Sequence, residues 1–186
     1  MTINEKGETQ KFRSETMAGM IKDEYFNIFQ GRLDCYGVRS RENFAIREKD
    51  QKHKADHWMV KEPLTTEVWR QHFDGTLSAY NPNTKRKELC SLGVYQIVEG
   101  KCFFGTIDLD EYGGAIDHKK LAKQIALLKL PLVVSQSASL GAHLHLLLNE
   151  WTDVDAVRKT LKQMSDALDL GETEIFPKKS DGGYGY

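Results

Sequence analysis

The residues that follow Leu92 alternate short apolar runs with two amphipathic segments, and this order restricts the fold more than any other feature of the chain. Runs of strand length are predicted at 93–98, 101–110, 132–135, 142–148 and 172–177. Two helices are predicted between them, one capped by Asp117 and ended by Pro131, the other opened by a capping box at Thr152-x-x-Asp155. From residue 101 onward the predicted order is therefore β-α-β-β-α-β.

This order is typical of ferredoxin-like and RNA-recognition-motif (RRM) folds, so the chain is predicted to be α+β. Such a fold places two helices on one face of an antiparallel sheet and leaves the other face open. It also pairs the third and the last strand with the first. Residues 91–186 are predicted to form this RRM-like module, and residues 1–90 an N-terminal α/β extension with a short helix at 63–73.

The charge balance argues against a protein that coats nucleic acid. The chain has 186 residues, 40% of them hydrophobic, and a net charge of -1. A nucleic-acid contact must therefore come from a local patch. The segment 39–54, which holds six basic residues, is either a solvated loop or a loop beside a phosphate backbone. Three cysteines without a C-x-x-C pair give neither a disulfide framework nor a cysteine zinc site, and they favour a cytoplasmic setting.

Two aspartates at the end of the strand 101–110 are the first candidates for chemistry. Asp108 and Asp110 are two positions apart, so on a strand their side chains share one face. Neighbouring carboxylates repel each other unless a cation lies between them, and oxygen ligands suit Mg²⁺ or Mn²⁺. The alternative is an ordinary polar strand end that leads into a turn.

The segment around His143 and His145 is the second candidate. Both histidines lie on one face of the strand 142–148, where they are either functional or a hydrogen-bonded structural pair. The turn that precedes them contains Ser137, Ser139 and a glycine. Small hydroxyl residues and glycine allow a backbone to approach phosphate oxygens closely, although a plain serine-rich hairpin has the same composition.

The last predicted strand supplies the third candidate. Glu174 would bring a further carboxylate to the sheet, and Lys178 and Lys179 follow it and could meet phosphate charge, although exposed lysines are usually only solvated. A carboxylate pair, a Ser/Gly turn ending in histidine and a third acid suit phosphoryl transfer, which needs divalent metals held by carboxylates and donors for a triphosphate.

These motifs resemble those of the archaeo-eukaryotic primase superfamily, over roughly residues 26–179. The similar features are Asp-x-Asp at 108–110, Ser-x-x-x-Gly-x-His at 137–143 and a lone acid at Glu174. The primase-polymerases of phages, conflict systems and CRISPR-associated loci also carry features similar to three further stretches here. These are Phe29-Gln30-Gly31-Arg32, Gly93-Val94-Tyr95 and the Phe-Pro-Lys run after Glu174.

The resemblance implies a primase-polymerase catalytic domain that uses Mg²⁺ or Mn²⁺. It makes Asp108, Asp110 and Glu174 the catalytic metal ligands, and it assigns nucleotide phosphates to Ser137, Ser139 and His143. Lys178 is a further candidate for the nucleotide. The implied partners are a template and primer, an NTP or dNTP, and a helicase, a nuclease, CRISPR-associated proteins or further domains of a longer chain. Relatives usually continue past the Phe-Pro-Lys run, so the chain is expected to be truncated.

Two other functions remain open on the sequence. His143-Leu144-His145 matches the His-hydrophobic-His signature of rolling-circle (HUH-type) endonucleases, but the helix predicted after it contains no tyrosine to act as the nucleophile. A non-catalytic RRM-like module would bind nucleic acid by stacking bases on aromatic residues of the central strands, and the strand 142–148 has none.

Overall fold

A computed structural model describes residues 24–41, 56–110, 116–137 and 141–178. The chain divides into two units, Met1–Asn27 with Leu33–Gly93 and Ile28–Arg32 with Val94–Tyr186. Each unit contains a four-stranded antiparallel sheet within its described residues, and helices accompany both sheets. The predicted α+β class is confirmed.

The first unit is built on a sheet that the sequence analysis did not anticipate. Its strands pair in the order β2-β1-β4-β3. Helix α1 begins after Thr65, whose hydroxyl accepts a hydrogen bond from the Val68 N–H, and it buries Trp69, which confirms the helix predicted there. The elements are β1 Tyr36–Ser40, β2 His57–Val60, α1 Thr66–Phe73, β3 Ser78–Asn81 and β4 Arg86–Gly93. Most of the basic segment 39–54 lies outside the described residues.

A buried carboxylate fixes the hairpin between β3 and β4. Glu88 is only 3% exposed. Ser40 donates to its Oε2 at 2.6 Å and Asn81 donates to the same oxygen at 3.0 Å. Thr84 and Arg86 donate to Oε1. These bonds join β1, the turn and β4, and together they lower the pKa of Glu88 to about 2.

The second unit contains the elements in the order β-α-β-β-α-β. The strands pair in the order β6-β7-β5-β8, all antiparallel. The predicted pairing of the 142–148 strand and of the last strand with the 101–110 strand is thereby confirmed. The elements are β5 Lys101–Leu109, α2 His118–Leu127, β6 Leu132–Gln136, β7 Ala142–Asp153, α3 Val154–Ala167 and β8 Glu174–Phe176.

The core of the second unit lies between this sheet and its two helices. Alternate strand residues such as Ile107 and Leu144 are fully buried there and pack in one cluster with Leu121 and Leu161 of the helices. A Cβ atom at Gly105 would lie 2.6 Å from the Leu161 side chain, so glycine is needed for α3 to approach β5 this closely. The intervening strand residues face away from the helices.

Two local predictions are wrong. Residues 94–98 form no strand, because β4 ends at Gly93 and Val98 makes only an isolated bridge with Lys101. Residues 95–97 are all buried in succession, so the alternation predicted for a half-buried strand is absent. Helix α3 is capped by Asp153, whose side chain accepts from the Ala156 N–H at 3.0 Å, whereas Thr152 still belongs to β7.

The cysteines are free thiols. Cys35, Cys90 and Cys102 are all buried, and burial raises the pKa of Cys102 to about 11. Within the described ranges, none of the helices combines the length and the apolar composition needed to cross a membrane.

Candidate functional site

The open face of the second sheet carries one polar residue on each of its four strands, side by side. His143 of β7 pairs with Ser135 of β6 on one side and with Asp108 of β5 on the other. Asp108 in turn pairs with Glu174 of β8. Directly opposed residues of antiparallel strands project from the same face, with Cβ atoms roughly 5 Å apart. Three motifs that are distant in the chain therefore form one row, and we call these four residues the polar row.

The acids of the polar row already have basic neighbours. The Oδ1 atom of Asp108 lies 3.3 Å from Nε2 of His143. The Nζ atom of Lys178 lies 3.0 Å from Oε2 of Glu174, and it also sits 4.9 Å from the centre of the Phe176 ring. Two carboxylates opposite each other in register are unfavourable by themselves. The two neighbouring acids are thus flanked by His143 on one side and Lys178 on the other, and the row is partly open to solvent.

The Ser/Gly turn is packed against the end of β5. The Ser137 N–H donates to the Gly141 carbonyl at 2.9 Å, and Nε2 of His118 lies 3.0 Å from the same oxygen. A Cβ atom at Gly141 would lie 2.1 Å from the Leu109 carbonyl oxygen, so only glycine fits. Ser137 is buried, whereas Ser139 lies outside the described residues, as does Lys179. Gly141, bonded to Ser137, is therefore held beside the strand that carries Asp108.

Asp110 follows β5 and is exposed. The strand predicted at 101–110 ends at Leu109, so Asp110 lies just outside β5 and does not share a strand face with Asp108 by regular alternation. Across the described residues, no three His, Cys, Asp or Glu side chains are gathered in a group that could hold a metal ion. The oxygen donors of Asp108 and Glu174 suit a hard divalent cation in their chemistry, with Asp110 next along the chain.

His145 is held by two hydroxyl groups. Its Nδ1 lies 3.0 Å from Oγ1 of Thr106, and its Nε2 lies 2.9 Å from Oγ of Ser135. Burial, and after it the neighbouring His143, lower the pKa of His145 to about 4 although Asp108 opposes the shift. His145 is therefore a neutral, structurally engaged histidine, whereas His143 faces Asp108 from a side chain that is 37% exposed.

An aromatic residue from far upstream covers one end of this open face. The Phe29 ring contacts Phe104 edge-on with centroids 5.0 Å apart, and its centroid is 5.2 Å from that of His145. Gly31 allows the close approach, since a Cβ atom there would lie 2.4 Å from the Tyr95 carbonyl oxygen. The stretch at 29–32 thus packs against residues 94–95 within the second unit, although both were known at first only as similarities of sequence. Periodicity could not have predicted this contact.

The burial of His145, which lowers its pKa, predicts that the second unit loses stability in mild acid. The folded-state pKa lies below the ordinary value of 6.5, so the unfolded chain binds the proton first and stability falls as the pH drops from about 6.5 to about 4. The loss is on the order of 2 kcal/mol between about pH 7 and pH 5. Urea unfolding of the wild type and of His145→Gln at both pH values measures it. An equally steep loss in the variant would contradict this origin.

Neither the scan against protein-family models nor the search of curated proteins finds a match to this chain.

Proposed function

We propose that the chain is the catalytic part of a primase-polymerase, an RRM-like nucleotidyltransferase that extends a 3′-hydroxyl on a nucleic-acid template. The observation that carries the proposal is the polar row, because its register brings the Asp-x-Asp, Ser/Gly-His and lone-acid motifs to one face of one sheet. The strand order β6-β7-β5-β8 and the two helices behind it support the RRM-like assignment.

In this proposal each residue has a separate role. Asp108, Asp110 and Glu174 would hold Mg²⁺ or Mn²⁺, which when bound neutralises phosphate charge and activates the attacking hydroxyl. The 3′-oxygen forms a bond to the α-phosphorus, the bond to the pyrophosphate leaving group breaks, and the hydroxyl proton passes to solvent. His143 and the Ser137 turn position the β- and γ-phosphates, and Lys178 adds positive charge beside Glu174.

The rolling-circle endonuclease alternative receives less support. That chemistry needs both histidines of the His-hydrophobic-His motif as metal ligands. Here both ring nitrogens of His145 lie within hydrogen-bond distance of the Thr106 and Ser135 hydroxyls, so neither is directed at a shared metal with His143.

The non-catalytic RRM alternative receives less support as well. Base stacking requires exposed aromatic residues on the central strands. The aromatic residue of β5 on the open face, Phe104, is only 6% exposed beneath Phe29. Lys178 lies over the ring of Phe176 on β8.

A template-directed extension assay tests the proposal. The purified chain is incubated with a labelled primer–template and either ribo- or deoxynucleoside triphosphates, with Mg²⁺, with Mn²⁺ or with a chelator. Extension that depends on both the template and the metal supports the proposal. Metal-dependent nicking with a covalent DNA adduct would support the endonuclease instead, and binding without extension under every condition would favour the module.

The two histidines are expected to differ in their effect on nucleotide use. His143→Ala should raise KM for the triphosphate about tenfold to a hundredfold, since a hydrogen bond to a charged group contributes about 1.5–3 kcal/mol. His145→Ala should mainly lower the unfolding temperature, because that ring binds hydroxyls within the sheet. Steady-state kinetics of both variants measure this difference. Equal increases in KM would count against the assignment of His143.

A further inference from the structure

The first unit has a sheet face whose side chains the proposed catalytic role leaves unexplained. Strand residues alternate between a buried side, with Val38, Ala79 and Cys90, and an exposed side. Tyr80 is 60% exposed and Leu89 is 49% exposed on that second side. We call this side the basic face; its members by register are Gly37, Arg39, His57, Met59, Ser78, Tyr80, Lys87, Leu89, Ser91 and Gly93.

The charge of the basic face is opposite in sign to that of the chain as a whole. Arg39 pairs with His57 on one side and with Ser91 on the other, while Lys87 pairs with Tyr80. Arg39, His57 and Lys87 are all exposed, and none of the face's ten members as defined above is an acid. The full chain has a net charge of -1. Arg39 and Lys87 therefore give this face a local positive charge.

The aromatic group of the basic face is suited to stacking. Tyr80 stands on the outer strand β3 directly opposite Lys87, so a flat ring and a cation lie side by side. Single-stranded nucleic acids are bound by this combination, with cations along the phosphates and aromatic rings against the bases. The large hydrophobic side chains of this face are the exposed Tyr80 and Leu89 and the half-buried Met59, which are few contacts for an apolar protein partner.

The hairpin that presents these groups is held in a defined shape. Asn81 and Glu88, which flank Tyr80 and Lys87 in sequence, point to the buried side and are joined by a 3.0 Å hydrogen bond. Asn81 Oδ1 also accepts from the Asn83 N–H at 2.8 Å, which orders the turn. The face is thus set before any ligand arrives, which reduces the entropy lost on binding.

We infer that the basic face binds single-stranded nucleic acid, with Arg39 and Lys87 on phosphates and Tyr80 stacked on a base. The inference goes beyond the proposed catalysis, because it assigns a binding surface in the other unit and needs neither a metal nor a triphosphate. It also supplies the local basic patch that a chain without an overall positive charge requires for this partner.

Fluorescence anisotropy with a short labelled oligodeoxythymidylate tests this assignment on the full chain, without metal or nucleotide. Arg39→Glu with Lys87→Glu should weaken binding at least about tenfold and lower the slope of log Kd against log salt by about 0.7 for each lost phosphate contact. Tyr80→Ala should also weaken binding about tenfold, whereas Tyr80→Phe should bind like the wild type. Lys123→Glu, an exposed reversal on α2, is the matched control.

The outcomes separate this inference from the proposed function. Unchanged affinity in the Arg39/Lys87 variant, or an equal loss of affinity in Lys123→Glu, would contradict binding at the basic face even if primer extension is intact. If the wild-type chain shows no extension activity but its binding to the oligonucleotide is lost in the basic-face variants, the basic face is supported and the catalytic proposal is refuted. Circular dichroism of each variant excludes unfolding, and an oligoribonucleotide of equal length shows whether the sugar matters.

Discussion

Replacing Asp108 and Asp110 together by alanine should abolish primer extension while the fold is kept. Loss of a residue that only hydrogen-bonds to a metal ligand lowers metal affinity or activity roughly 10–100-fold. Loss of two ligands should therefore lower the extension rate by more than about a hundredfold. Asp108 is only partly buried and lies opposite Glu174, so its removal relieves a like-charge neighbour and should not destabilise the sheet. The rate of template-directed extension at saturating Mn²⁺ is the measurement.

The matched control for this double variant is Glu150→Ala with Asp166→Ala. Both residues are exposed, and the control also removes two negative charges from the second unit. It should extend primers at the wild-type rate. An extension rate of the Asp108/Asp110 variant within about tenfold of the wild-type rate would contradict the assignment of these residues as metal ligands, whatever the role of His143.

Replacing Glu88 by alanine should strongly destabilise the first unit. The Glu88 carboxylate accepts hydrogen bonds from Ser40, Asn81, Thr84 and Arg86, and its removal would take this shared acceptor away from two buried residues, Ser40 and Asn81. The unfolding temperature should fall on the order of ten degrees. Arg86→Ala, which removes only the exposed donor, should lower it far less.

The Glu88 carboxylate also predicts a loss of stability in acid, at a lower pH than the loss predicted for His145. Because the folded-state pKa of Glu88 is about 2 and its ordinary value is 4.5, the stabilisation is present above about pH 4.5 and is lost as the pH falls towards 2. The Glu88→Gln variant should show a flatter acid limb over this range. A loss of equal steepness in wild type and variant would mean that other groups dominate.

Much of the second unit followed from local patterns. Apolar runs of strand length, Asp117 as a helix cap and Pro131 after the first helix predicted its elements, because burial of one strand face and helix capping are local requirements. The pairing of β7 and β8 with β5 followed from the element order. The four strands of the first unit were missed, since runs as short as His57–Val60 carry too little alternation.

The sequence likewise predicted only part of the candidate site. Asp108, His143 and Glu174 were chosen from their residue types and motif order, and the register of three strands placed them in one row. The roles assigned to them remain predictions. The difference between His143 and His145 was not accessible from their spacing, because it arises from the hydroxyls of Thr106 and Ser135 on neighbouring strands.

The amino-acid sequence by itself determined which strands and helices form in the second unit and which face of β5 and β7 is polar, because alternation and capping act over a few residues. Only the tertiary structure decided that Phe29 packs beside His145, that Gly141 must pass the Leu109 carbonyl, and that Arg39 and Lys87 share an exposed face. These relations join residues far apart in the chain. They depend on strand register and on the close packing of backbones, which no local pattern encodes.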